Sequence, residues 1–511
     1  MISKAIIAIS LVTSMLLLSG CLVTPKPMTG MEIRDRINQD LITMHKDQEK
    51  VLRPITLNEA TARALRYNLD YRLKMMEEAL YDKSLQLSQF DMLPKLIASA
   101  GYTDRDNDSG GSSMSLLTRT ESLEPSTSQE KSRWTTGAAF SWNILDFGIS
   151  YYRAKQSADQ YLISQERKRK VIQNVIQDVR SAYYRALAAE KLVNKCDELL
   201  SQVNGALKSS EEIELKGLTP PAQSLNYQRA LLETTNLLVQ KRREMNLART
   251  ELAALMNLTP GEKFTIADTT LPEPLPTPTD LEKLEITALE LRPELREEDY
   301  KNRISQDEAK RLLVSVMPGI ELDAGFQYDS NKYLYNQNWL EYGARASWNL
   351  TKLLSIGKLT DMSDMQDEVN KVRRAALTMA VITQVRIGLQ RYDIALFDYD
   401  LSTRASKVDD KLLTHSQSGA KVGFENELEV IRANTRAILS EIMKYTAYAN
   451  VQAAYARLLN SLGMDLLPPV TELKDISSVA EYMNQNLASW DMTIKGFSKP
   501  VATEQTIAIK E

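Results

Sequence analysis

The stretch AAFSWNILDFG occupies residues 138–148, and ARASWNLTKLL occupies residues 344–354. Both carry Ser-Trp-Asn and then an aliphatic residue, 206 positions apart (347 − 141), in a chain with five tryptophans. At the same offset Val179-Arg180 meets Val385-Arg386, Arg185 meets Arg391, Gly217 meets Gly423 and Leu252 meets Leu458. Upstream the offset becomes 224 (318 − 94): Pro94 meets Pro318, and Ala100-Gly101-Tyr102 meets Ala324-Gly325-Phe326. The offset changes between Tyr102 and Ser141, so one loop of the first half is longer. Constant spacing over so long a stretch indicates an internal duplication, in which one structural unit is used twice.

Within the unit the order reads helix, strand, strand, helix, helix. Thr56 and Glu59 have capping-box spacing, each side chain able to satisfy the other's free backbone N–H. The first helix is expected to run from there to about Met92, before Pro94, and its counterpart from about Leu281 to Val316. A long helix is expected from Tyr151 to about Ser209. On it Ile172, Val175, Val179, Ala182, Ala186, Ala189 and Val193 recur at alternating steps of three and four. That is the heptad seam of helices packed side by side. Shifted by 206 it reads Thr378, Val381, Val385, Gly388, Tyr392, Ala395 and Tyr399. Such a helix, ~80 Å at 1.5 Å per residue, is too long for a globule and suits an extended assembly. After Gly217 and Gly423 the chain is expected to reverse into helices at about Ala222–Met256 and Glu427–Leu462. The proline-rich stretch between the copies cannot continue a helix.

The strands alternate. In IELDAGFQY (320–328), Ile320, Leu322, Ala324, Phe326 and Tyr328 share one face, and Glu321, Asp323, Gly325 and Gln327 the other. In LEYGARASWNL (340–350), Leu340, Tyr342, Ala344, Ala346, Trp348 and Leu350 alternate with Glu341, Gly343, Arg345, Ser347 and Asn349. Leu96, Ala98, Ala100 and Tyr102, then Ala138, Phe140, Trp142 and Ile144, repeat the pattern in the first copy. Period two gives one apolar and one polar face, as in transmembrane barrel strands. Trp134 and Trp142 share a face about 26 Å apart along the strand, near the span of two aromatic girdles. Trp339 and Trp348 bracket the later strand but face opposite ways, placing Trp339 toward the loop. Four strands cannot close a barrel, and open edges cannot face lipid, so several copies must share one.

A net charge of −4 offers no basic face for nucleic acid. Residues 5–18 form an apolar run of signal-peptide length behind Lys4, ending Leu-Ser-Gly-Cys at Cys21. This resembles a bacterial lipobox, with Cys21 as the lipidated residue, and Leu22 rather than Asp after it implies the outer membrane. Two histidines, His45 and His415, and the absence of HExxH, GxSxG, a phosphate loop or a cysteine cluster point away from an enzyme, a metal site or a cofactor.

TLNEATARALRYNLDYRL (56–73), LPKLIASAGY (93–102), FSWNILDFG (140–148) and LKGL (215–218), echoed by RPELREED, MPGIELDAGF, ASWNL and KVGF, together resemble the TolC-type outer-membrane channel family. The resemblance implies a mainly α fold with a small membrane β part. A trimeric twelve-stranded barrel would continue into a long periplasmic α-helical barrel. The implied division is a signal peptide (1–20), a lipid-anchored segment (21–55), the first repeat (56–258), a linker (259–281), the second repeat (282–464) and an unassigned tail (465–511). Strands are expected at about 95–104, 134–145, 319–329 and 339–350. Gly217-Leu218 and Gly423-Phe424 match the tips that dock a periplasmic adaptor, which links the tunnel to an inner-membrane transporter. Glu429 matches a gate position, whereas Arg432 departs from the acidic pattern. The expected function is a passive exit duct of an efflux pump or type I secretion system in the outer membrane. The competing reading is a non-conducting periplasmic coiled-coil lipoprotein.

Overall fold

Each half of the chain folds as its periodicity dictates, with 3.6-residue spacing giving helices and two-residue alternation giving strands. The computed structural model describes residues 25–46, 48–122, 124–218, 220–259, 261–267, 270–424, 427–465 and 475–497. Cys21 lies outside them. The chain divides into two units, Met1–Lys50 and Val51–Glu511. In the first, helix α1 (Gly30–Met44) is opened by a reciprocal cap between Thr29 and Glu32 and buries no residue.

In the second unit the first repeat contains α2 (Leu57–Tyr67), α3 (Leu69–Phe90), β1 (Lys95–Asp104), the short pair β2 (Gly110–Gly111) and β3 (Ser126–Thr127), β4 (Ser132–Asn143), α4 (Ile144–Leu215) and α5 (Pro221–Leu255). The second repeat contains α6 (Leu281–Leu291), α7 (Pro293–Val314), β5 (Gly319–Asp329), β6 (Asn338–Ser347), α8 (Leu350–Leu353), α9 (Ile356–Lys421) and α10 (Glu427–Ser461). Helices α2 and α3 shifted by 224 coincide at both ends with α6 and α7, and α5 shifted by 206 coincides with α10. A last helix, α11 (Ile476–Gly496), follows.

Where sequence expectation and structure differ, the causes are local. The single helix expected from Thr56 is two, broken at Asn68, whose extended backbone and side chain cap the second. The counterpart breaks at Arg292, because the residue before Pro293 is pushed to extended geometry. Thr56 accepts from the Glu59 N–H at 3.2 Å, but the Glu59 carboxylate turns to Arg63 at 3.0 Å, so half of the expected capping box forms. The long helix spans 72 residues, about 108 Å at 1.5 Å per residue. It starts early because the Asn143 side chain caps it at once, accepting from the N–H groups of Leu145 and Asp146. Its twin, Asn349, opens only the short α8 before α9 begins.

The heptad seam forms the core, with Val179, Ala182, Ala186 and Ala189 fully buried on α4 and Val381, Val385, Gly388 and Tyr392 buried on α9. Three apolar clusters follow from it. One joins α2, the middle of α4 and the end of α5; the second joins α6, α9 and α10; the third joins the lower part of α4 to α5 and α10. Cys196 is fully buried in the third, and burial raises its thiol pKa. The tail that carried no assignment contributes a structural helix. Ile476, Val479 and Met483 of α11 enter the first cluster, and Ile494 with the following Phe497 enters the second. Tyrosine hydroxyls tie the linker to the same level: Tyr392 donates to the Leu275 carbonyl at 2.7 Å and Tyr448 to that of Pro272 at 2.8 Å.

Helix α10 ends in a Schellman turn, with Met464 N–H bonded to Leu459 O and Gly463 N–H to Asn460 O. Gly463 has φ +71°, and a Cβ there would stand 2.8 Å from the Arg292 backbone. Gly217 has φ +65°, with open space around it. Gly463→Ala therefore adds a backbone clash to the left-handed strain of about 1–3 kcal/mol that Gly217→Ala incurs alone. Chemical denaturation should show Gly463→Ala as clearly the more destabilised of the two; equal losses would contradict the close approach.

Candidate functional site: an outward apolar sheet and two helical tips

The four long strands form one antiparallel sheet in the order β1-β4-β5-β6, so the repeats meet at β4 and β5. The register aligns apolar side chains across the strands: Leu96 opposite Phe140, Ala138 opposite Phe326, and Phe326 opposite Leu340. On β4 and β5 burial alternates in an unusual sense. The apolar residues Phe140, Ile320, Leu322 and Phe326 are exposed, whereas Glu321, Asp323, Gly325 and Gln327 opposite them are half-buried. A sheet of a water-soluble domain covers its apolar face instead. The polar face is internally bonded, with Ser141 donating to Glu321 at 3.0 Å and Arg133 paired with Asp329 at 3.4 Å. The edge strands β1 and β6 are exposed along their whole length, and each leaves one row of backbone groups unpaired.

The tryptophans mark both ends of the sheet. Trp134 is on the exposed apolar face, its ring 4.8 Å from that of Tyr102. Trp142 is on the same face at the helical end, edge-on to Phe147 at 5.8 Å. Trp339 lies within β6, not in the loop, opposite Gln327 and so on the polar side. Trp348 follows β6 and donates its indole N–H to the Val316 carbonyl at 2.9 Å.

At the other end, α4 and α9 finish in matching Schellman turns. Leu218 N–H bonds Ile213 O and Gly217 N–H bonds Glu214 O; Phe424 N–H bonds Gly419 O and Gly423 N–H bonds Ala420 O. Glycine is required because C′ is left-handed, with φ +65° and +79°. The turns present apolar side chains to solvent: Leu218 is 69% and Phe424 89% exposed. Beside the first tip a groove of about 770 Å³ runs between Ile213 of α4, Pro220 and Tyr227 near the start of α5, and Leu428 and Arg432 of α10. Arg432 pairs with Glu429 at 2.7 Å, one turn apart and both half-exposed.

The helices show a third feature, which pairwise reading of the sequence did not reveal. Helix α4 of the first repeat packs on α7 and α10 of the second, and β4 pairs with β5. The repeat-equivalent partners of α9 would be α3 and α5, and that of β6 would be β1. Within the chain α9 packs on α10, α7 and α6 and makes no extended contact with α3 or α5. Val372, Met379, Ile387, Ile394, Leu401 and Val408 form an exposed stripe along α9, and Leu69, Leu73, Met76, Leu80 and Leu87 another along α3. The signal was present as a second heptad, offset from the seam that forms the core.

Among the described residues no helix is long and apolar enough to cross a membrane, and no group of His, Cys, Asp and Glu is placed to hold a metal ion. Residues 63–258 match the family model described as outer membrane efflux protein. No curated protein matches the chain. Solved structures share the fold. The Campylobacter jejuni CmeC outer membrane channel is 13% identical, with a TM-score of 0.61, covering 86% of this chain and 94% of its own. The open state of the Neisseria gonorrhoeae MtrE outer membrane channel is 16% identical, with a TM-score of 0.60 and coverages of 80% and 89%. The outer membrane protein VceC from Vibrio cholerae is 12% identical, with a TM-score of 0.59 and coverages of 80% and 96%.

The outward apolar face makes a distinction that can be measured. Phe326→Arg places charge on that face, at about 2–4 kcal/mol if the face lies mid-bilayer, whereas Asp323→Asn alters only the polar side. Phe326→Arg should lose its place in the outer-membrane fraction while Asp323→Asn keeps it. Equal recovery of both in that fraction would count against a lipid-facing sheet.

Proposed function

We propose that this chain, which resembles the outer-membrane efflux channels in its family signature and fold, is a passive exit duct across the outer membrane. One observation carries the proposal: the sheet exposes its apolar face and shelters its polar one while both edges stay open. Lipid outside and water inside is the pair of solvents such a sheet suits. Copies would join edge to edge, β6 of one to β1 of the next. The same rotation brings the α9 stripe against α3 and α5 of the neighbour, repeating between chains the packing that α4 makes within one. Three copies give twelve strands, and the ring of helices below continues the lumen. A coiled-coil lipoprotein without a pore would leave the outward apolar sheet without a purpose.

Cys21, as the lipidated residue, would add an anchor at the same membrane. The exposed Leu218 and Phe424 at the helical tips suit a periplasmic adaptor, which would couple the duct to an inner-membrane transporter of an efflux pump or a type I secretion system. Trp134 and Trp142 would lie at the two lipid interfaces. Glu429 and Arg432, one turn inside the second tip, would ring the entrance three-fold as neutralised pairs rather than as an acidic collar.

Purified protein in planar bilayers should conduct as a trimer, and a monomer without conductance would end the proposal. Glu429→Ala leaves Arg432 without this carboxylate partner, so the reversal potential in a salt gradient should move toward anion selectivity. An unchanged potential would remove the pair from the entrance.

A further inference from the structure

The two repeats are equivalent in backbone but not in charge at one point. In the first, Arg185 of α4 pairs with Glu251 of α5 at 2.8 Å. Shifted by 206, these positions are Arg391 of α9 and Arg457 of α10. A salt bridge in one copy is thus a pair of arginines in the other. Both arginines are exposed, and among the described residues neither makes an ion pair. They line one cleft of about 330 Å³, together with Lys170 of α4 and Arg292 at the α6–α7 break. Its polar lining is these four cations, the amides of Gln177, Gln384 and Asn460, and Ser461, with no carboxylate.

The charge balance around the cleft is one-sided. Glu294 is the acid behind its floor, and it is shared between Arg292 at 3.0 Å and Lys170 at 2.9 Å. Arg292 is 4% exposed and spends its remaining donors on Gln384 and on the Asn460 and Ser461 carbonyls. Burial pushes the Lys170 ammonium below its ordinary pKa; Glu294 counters this and the like charge of Arg292 adds to it. Asp178 of α4 senses Arg457, but it also senses Arg185, and its burial raises its pKa. The floor is therefore held by the ion pairs to Glu294 and by the Gln384, Asn460 and Ser461 oxygens, while the two rim guanidiniums have donors to offer. A guanidinium presents a planar fork that matches an oxyanion in two-point geometry. Like charges at one cleft repel, and a bound anion removes that repulsion.

We propose that this cleft is a binding site for a small oxyanion, phosphate or sulfate, held between Arg391 and Arg457 over the Arg292–Lys170 floor. The site belongs to the second repeat only, because Glu251 neutralises the corresponding place in the first. It does not depend on conduction, since every residue named is in one chain.

The test is calorimetric titration of the detergent-solubilised full chain with inorganic phosphate, at constant ionic strength and with chloride as the balancing anion. Saturable binding of one phosphate per chain is expected. Arg457→Glu recreates the first repeat's salt bridge, so it should fold normally by circular dichroism and lose at least tenfold in affinity. Arg391→Gln should lose affinity as well. Arg185→Gln, which opens the first repeat's pair, should bind phosphate as the unmodified protein does. No saturable phosphate binding by the unmodified chain, or equal affinity in a folded Arg457→Glu, would overturn the site. A loss in Arg185→Gln as large as that in Arg457→Glu would also overturn it, since the effect would then be one of general charge.

Discussion

An antiparallel sheet that covers neither its edges nor its apolar face is the constraint on which the rest of this structure depends. Backbone donors and acceptors on β1 and β6 need partners, and Phe140, Phe326, Leu340 and Tyr342 need an apolar surrounding. A single chain supplies neither. The helical part is built on the same terms, since α9 carries an apolar stripe as regular as the seam it buries. In the proposed assembly, what is incomplete in one copy would be completed by a rotation that places the second repeat of one chain against the first repeat of the next.

Duplication would make that rotation possible and would also limit it. The two repeats share the ends of the first two and the last helices, the Schellman turns at the tips and the break between the first two helices, while the long helix is continuous in one and interrupted near its start in the other. They also differ in the outer hairpin loop and in charge on the long helices. One hairpin has a long outer loop with its own two-stranded piece, and the other has a short one. One place on the long helices carries a salt bridge and its counterpart carries two arginines. Backbone equivalence would preserve the geometry of the proposed assembly, while side-chain divergence gives each half its own chemistry. The linker and α11 bind the halves, because Tyr392, Tyr448 and Tyr455 each hand a hydroxyl to a segment outside the repeats.

Much of this was legible in the residues. The Ser-Trp-Asn echo and the two offsets gave the repeat, and alternation gave the strands with their faces. Glycines followed by Leu218 and Phe424 gave the helix reversals. The break at Arg292 was legible in principle, because Pro293 restricts the residue before it, whereas its twin at Asn68 has no proline and was hidden. The α11 contribution was hidden as well, because its apolar residues divide between two clusters formed by distant helices and its own periodicity does not show where they go.

The sequence by itself determined the periodicities: which residues are apolar at two-residue spacing, which at heptad spacing, and that the chain reverses after Gly217 and Gly423. These are local properties, set by backbone sterics and side-chain order. Only the tertiary structure decided which face of the sheet is sheltered, since alternation is the same whether the apolar side points in or out. It also brought Arg391 and Arg457 to one cleft with Lys170 and Arg292. Residues so far apart in the chain meet through helix packing, and charge balance at a point in space is not a property that any stretch of sequence carries alone.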